Sequence, residues 1–139
     1  MAHWVTFTYK NEKNFGVLDT NKVEIYSGDM FNQPVATGKK INANDMTLLN
    51  PCNPSKIIAL WNNYKTLAAE KGLSKPNNPL YLNKATSCIS QPGEDIIRPK
   101  HYDEAIFYEG ELGIVIGKHC KDVEPNESKD YIFGYTCIN

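Results

Sequence analysis

The sequence has a single arginine, Arg98, among its fifteen basic residues, and sixteen acidic residues leave a formal charge of −1 with His neutral. An arginine-poor, nearly neutral chain has little with which to grip a phosphate backbone, so nucleic acid is not an expected partner. Long apolar runs are missing too. The longest, such as Ile57 to Trp61, fall far short of the roughly 20 residues that cross a bilayer, and no membrane span is expected. No CxxC pair occurs among Cys52, Cys88, Cys120 and Cys137, which argues against a zinc knuckle or a redox dithiol and for reduced, mostly buried thiols. The start, Met1-Ala2-His3-Trp4, lacks a basic segment followed by a leader-like apolar run. A cytoplasmic location is the expectation, and the sequon Asn126-Glu127-Ser128 is discounted with it.

What remains is 139 residues that are 41% apolar and 22% charged, with nine glycines and eight prolines. That suits a packed, turn-rich domain rather than disorder or a coiled coil. Residues 4–9 alternate as a strand, with Trp4, Thr6 and Thr8 on one face and Val5, Phe7 and Tyr9 on the other. Lys10 to Asn14 is a polar turn. Phe15–Leu18 and Lys22–Tyr26 form a hairpin around Asp19-Thr20-Asn21, a loop longer than the ideal two-residue turn. Ser27 to Asn44, with Gly28, Pro34 and Gly38, predicts a connector anchored by Phe31 and Val35. Pro51 and Pro54 fix the backbone near a boundary at residue 53, giving a small N-terminal domain over 1–53 and a second unit over 54–139.

In the second unit, Lys56–Trp61 predicts a strand. Tyr64, Leu67, Ala68 and Lys71 at i, i+3, i+4 and i+7 predict a short helix, capped by Asn62 or Asn63 and ended by Gly72. Leu80–Asn83, a turn at Gln91 to Asp95, and Ile96-Ile97 predict strand, loop and strand. Ala105–Gly117 and Tyr131–Ile138 are the remaining strands, so the fold class is α+β and mostly β.

Within Ala105–Gly117, period two puts Ile106, Tyr108, Leu112, Ile114 and Ile116 on one face as a core stripe, and Glu109 and Glu111 together on the other. Two carboxylates roughly 7 Å apart repel when desolvated, and a hard divalent ion relieves that repulsion with oxygen ligands. The alternative is the wet outer face of a half-exposed strand. Gly110 and Gly113 either leave room beside the acids for another backbone or a ligand, or mark a bulge in the strand. Lys84, near the hydroxyls of Thr86 and Ser87, can face a substrate carboxylate or enolate, or be a solvated surface lysine. Glu70 on the helix is either a base or a surface charge.

Pro54-Ser55-Lys56-Ile57-Ile58-Ala59, Asn63-Tyr64 with Ala68-Ala69-Glu70, Lys84-Ala85-Thr86-Ser87, Tyr108 to Gly117, and Gly134-Tyr135-Thr136 follow one another in order. This series resembles the motifs of the fumarylacetoacetate hydrolase family, and the leading residues resemble that family's small N-terminal domain. The resemblance covers nearly all of this sequence and about the first half of a usual member. It implies the first part of a mixed β-sandwich roll, and a divalent-metal-dependent hydrolase or lyase that cleaves C–C bonds in small 2-oxo or 1,3-dicarbonyl acids. Mg²⁺ or Mn²⁺ would be the cofactor, and a homodimer or homo-oligomer, or a second chain completing the domain, the assembly. Glu109 and Glu111 match two metal ligands, Lys84 and Thr86 the residues beside the bound acid, and Glu70 the acidic partner of a helix dyad.

The sequence departs from the family's pattern at four places. The dyad histidine is Leu67, which cannot relay a proton. Trp61 replaces a glycine, and Phe107 an acidic residue. The motif Gly-Tyr-Thr-x-x-Asn-Asp reaches Asn139, one residue before the aspartate that supplies a third ligand. These departures raise an alternative, a non-catalytic fragment or pseudoenzyme that binds a partner protein or a small acid.

Overall fold

A computed structural model describes residues 2–139. Its element order is β1 (His3–Tyr9), β2 (Glu12–Asp19), β3 (Lys22–Asp29), β4 (Asn32–Asn42), β5 (Thr47–Leu49), β6 (Ile57–Trp61), α1 (Lys65–Glu70), β7 (Leu80–Lys84), β8 (Glu111–Ile116) and β9 (Ile132–Ile138). Among the described residues, one short α-helix against nine strands makes the fold α+β and strongly β-dominant.

The first five strands form one antiparallel sheet in the order β4-β3-β2-β1-β5. Its turns are tight because the residues accept left-handed backbone. Lys10 and Asn11 have φ of 52° and 65° between the paired residues Tyr9 and Glu12, as a primed hairpin turn requires. Asp19 pairs with Lys22, so that loop is also a two-residue turn, shorter than expected.

Alternation then sorts the side chains. Phe7, Val23, Ile25 and Ile41 are buried on one face, with Val5, Tyr9, Leu18, Ala43 and Met46 packed around them. On the other face Trp4 meets Tyr26 edge-on at 4.9 Å between ring centroids and lies 6.3 Å from Phe15. It also reaches Phe133 of β9 at 6.2 Å, and Phe31 meets Phe133 at 4.6 Å. These aromatic contacts join the first sheet to the C-terminal hairpin.

The expected connector over Ser27–Asn44 is instead the end of β3 and the eleven-residue β4. β4 is an edge strand with only Ile41 buried, so it lacks an apolar alternation, and an edge tolerates Pro34. Two register shifts bend it. At the first, Thr37 to Lys39 lie opposite Ile25; Gly38 takes φ +73°, and the Thr37 hydroxyl donates to the Ile25 carbonyl at 2.7 Å, satisfying an acceptor that the bulge leaves out of the ladder. Phe31 is an anchor, but Val35 is 63% exposed and is not.

After β5 the chain forms two ribbons, β6–β7 and β8–β9, each an antiparallel pair with no third strand among the described residues. α1 follows β6. Its first residue is preceded by Tyr64 with no side-chain cap, while Asn62, at φ 55°, spends its amide on the Ser74 carbonyl. Neither asparagine caps the helix. Gly72 ends it as expected, at φ +64°, with Leu73 N–H on the Ala68 carbonyl and Gly72 N–H on that of Ala69. Ile96 and Ile97 form no strand and are largely exposed.

The cysteines also differ from expectation. All four are free, but Cys88, Cys120 and Cys137 are exposed and Cys52 is half-buried, because the ribbons that carry or flank the three have no covering layer. Burial pushes the Cys52 thiol up, so it holds less thiolate at a given pH. Iodoacetamide at pH 8, followed by peptide mass spectrometry, is expected to label the other three first and Cys52 last, with the Cys52 rate climbing as pH is raised.

Candidate active site

Ile57 pairs with Lys84, placing the lysine at the last position of β7, and Thr86 opens the following 3-10 turn. Glu70 is the last residue of α1, one turn beyond Leu67. Leu67, Glu70, Lys84 and Thr86 are exposed. Thus Lys84, Thr86 and Glu70 belong to the β6–α1–β7 segment, whereas Glu109 and Glu111 belong to the other ribbon, and the two ribbons share no strand pairing.

The strand expected over Ala105–Gly117 is shorter. β8 begins at Glu111, and Glu109 lies in the segment before it, which has no regular secondary structure. The two acids therefore do not sit on one regular strand face. Glu111 is half-buried on the side shared by Gly113 and Val115, and pairs with Ile138. Glu109 is exposed, its N–H donating to the Asn139 side-chain oxygen at 2.9 Å. Sequence reasoning gave Asn139 no role beyond its place in the Gly-Tyr-Thr-x-x-Asn-Asp motif; the structural signal is register, since continuing the ladder past Glu111–Ile138 brings residues 110 and 139 opposite each other.

The apolar stripe is not core among the described residues. Leu112, Ile114 and Ile116 are each more than half exposed, and Tyr108 is 88% exposed. A two-stranded ribbon has nothing to pack this face against. The β6–β7 ribbon is open likewise, through Ile58, Leu60, Tyr81 and Leu82.

Carboxylate oxygens are the donors that a hard divalent ion takes, so Glu109 and Glu111 fit Mg²⁺ or Mn²⁺ in kind. In number they fall short: among the described residues, no three His, Cys, Asp or Glu side chains gather where an ion could be held. Two surface concavities lie elsewhere, one beside Phe31 and Phe133 and the other along the N-terminal sheet.

Residues 56–139 match the fumarylacetoacetate (FAA) hydrolase C-terminal family, more than half of the chain. The chain belongs to the fumarylacetoacetate hydrolase family. Residues 2–51 match the Rv2993c-like N-terminal family. Among relatives, an uncharacterized protein of Methanocaldococcus jannaschii is 40% identical over 95 residues, which are 68% of this chain and 40% of that protein. A fumarylacetoacetate hydrolase domain-containing protein 2 homolog of Dictyostelium discoideum is 36% identical over 73% of this chain and 33% of its own length. The crystal structure of 2-hydroxyhepta-2,4-diene-1,7-dioate isomerase from Mycobacterium marinum superposes with a TM-score of 0.85 at 26% identity, covering 99% of this chain and 53% of that one. The chain thus spans about half the length of the family structures it matches. Among the described residues no helix is long and apolar enough to cross a membrane.

Proposed function

We propose that this chain, by itself, is a non-catalytic piece of the family scaffold that binds a partner polypeptide, a second copy or a chain completing the domain, through the open apolar faces of its ribbons. The observation that carries this is the outward stripe of Leu112, Ile114 and Ile116, a face that would aggregate or associate rather than stay wet. The shortage of gathered ligands and the alkyl side chain at Leu67 agree with it, since neither an ion-activated water nor a proton relay has its full set of groups here. Lys84 and Thr86 retain the chemistry to receive a small acid: a cation for its carboxylate and a hydroxyl donor beside it.

A second proposal concerns the assembled protein. With the domain completed, Glu109 and Glu111 would contribute to a Mg²⁺ or Mn²⁺ site, Glu70 would serve as acidic catalytic partner, and the reaction would be hydrolysis or lysis of a small 2-oxo or 1,3-dicarbonyl acid. The ordered motifs and the likeness to a dioate isomerase favour a carboxylate-bearing substrate. The ion's contribution would be to polarise substrate oxygens; Lys84 would orient the acid.

Two measurements test the first proposal. Sedimentation is expected to show species larger than the 15.7 kDa monomer, reverting to monomer when Leu112 and Ile114 are both changed to lysine. Acylpyruvates and oxaloacetate with millimolar Mg²⁺ or Mn²⁺ are expected to show no turnover above the Glu109→Gln variant. Turnover by the chain alone that disappears with Glu109→Gln would overturn the non-catalytic reading, and a monomer at every concentration would overturn the second copy as the partner.

A further inference from the structure

Val115 pairs with Gly134 and Ile116 with Ile132, so Phe133 has no partner on β8 and is the extra residue of a β-bulge. A bulge re-aims the side chain it carries. Here the ring leaves the hairpin and seats against the N-terminal sheet, 4.6 Å from Phe31 and 6.2 Å from Trp4 between ring centroids. Both receiving rings are held in place. Trp4 lies on β1, edge-on to Tyr26 of β3, and Phe31 stands in the two-residue turn between Asp29 and Asn32, its N–H donating to the Asp29 carboxylate at 3.0 Å. Gly117 completes the fit on the hairpin side. A Cβ there would come within 2.7 Å of Phe133 Cβ and 3.3 Å of Phe31 Cδ1, so glycine is what lets the end of β8 pass this close. Its N–H then resumes the ladder beyond the bulge by donating to the Tyr131 carbonyl at 2.9 Å.

The rest of the hairpin has little else to fold on. A two-stranded ribbon is marginal in water by itself, and Leu112, Ile114, Ile116 and Tyr135 are all more than half exposed. We propose that Phe133 is a latch: the seating of its ring against Trp4 and Phe31 is what keeps β8 and β9 paired, so that the N-terminal sheet decides whether the hairpin, with its open stripe, is formed. The dependence runs one way, because the buried cluster of the N-terminal sheet, Phe7, Val23, Ile25 and Ile41, includes no residue of the hairpin. Unlatching therefore releases the hairpin as a separate cooperative unit and leaves the five-stranded sheet standing. The latch does not depend on what the stripe binds.

Hydrogen exchange of the full chain, read by mass spectrometry on peptides covering β8 and β9 against one covering β3, tests this at a low and a high chain concentration. Phe133→Ala is expected to speed exchange in the hairpin peptides by at least about tenfold and to leave the β3 peptide unchanged. Gly117→Ala, which crowds the ring out of its seat, is expected to act in the same direction. Tyr135→Ala, on the same strand but regularly paired with Ile114 and facing solvent, is expected to have no such effect. Equal hairpin exchange in wild type and Phe133→Ala would overturn the latch. So would a β3 peptide that loosens as much as the hairpin, since sheet and hairpin would then be one cooperative unit. Protection of the wild-type hairpin present only at the high concentration would overturn it too, because another copy, and not the N-terminal sheet, would then be holding the strands together.

Discussion

Replacing Phe7 by alanine is expected to destabilise the chain by about 3–5 kcal/mol, the cost of removing a large aromatic from a closed core. Phe7 and Val23 are the only large side chains fully buried among the described residues, and Phe7 sits on β1 between Asn14 of β2 and Leu48 of β5. Few other groups can move into the space, because only three other residues, Val23, Ile25 and Ile41, share its buried cluster. The loss is a large share of the roughly 5–15 kcal/mol by which domains are stable. Urea unfolding followed by circular dichroism measures it, with Val35→Ala, at an exposed position of β4, expected within about 0.5 kcal/mol of wild type. A Phe7→Ala loss below about 1 kcal/mol would mean that stability resides outside the five-stranded sheet.

The second large effect comes from adding one methyl group. Gly16 lies in the middle of β2 between Val5 and Ile25, and a Cβ there would be driven onto the Glu24 carbonyl oxygen, with Val23 Cγ1 at 3.1 Å. The obstacle is backbone, and it is backbone already committed to the bulge opposite Thr37 to Lys39. Gly16→Ala is therefore expected to cost about 2–3 kcal/mol by overpacking. Gly113→Ala is the informative comparison. Its Cβ would approach Ile138 Cδ1 at 2.5 Å, the far end of a side chain that can rotate away toward solvent, so the cost is expected below about 1 kcal/mol in the same urea titrations. Equal losses at the two glycines would contradict the distinction between a rigid and a yielding neighbour.

The elements legible in the sequence were those whose own residues carry the signal. β1 and β3 alternate against a core that the chain itself supplies, and α1 shows its i, i+3, i+4 spacing with Ala68 as the buried position. β4 was illegible because an edge strand exposed on nearly every residue has no pattern to read, and its glycine and proline signal a bulge as readily as a loop. The stretch before Glu111 misled for a different reason. Ile106, Tyr108 and Leu112 alternate as a buried strand would, but alternation declares only that a face is apolar; burial needs a second layer, and none is present among the described residues. The same holds for the site. Ordered motifs single out Lys84, Thr86, Glu70, Glu109 and Glu111 as candidates, whereas whether side chains from two ribbons meet depends on long-range packing that local spacing does not encode.

The edges of the molecule are unequally defended. β4 carries Pro34, two bulges and the adjacent Lys39 and Lys40 along its free rim, features that discourage another strand from adding on. β8 offers a free rim with no proline and, past Glu111, no charge through Ile116. On heating or at high concentration, misassembly will therefore start from the C-terminal hairpin while the N-terminal sheet still holds, and a solubility tag or a charged gatekeeper belongs at that end of the chain.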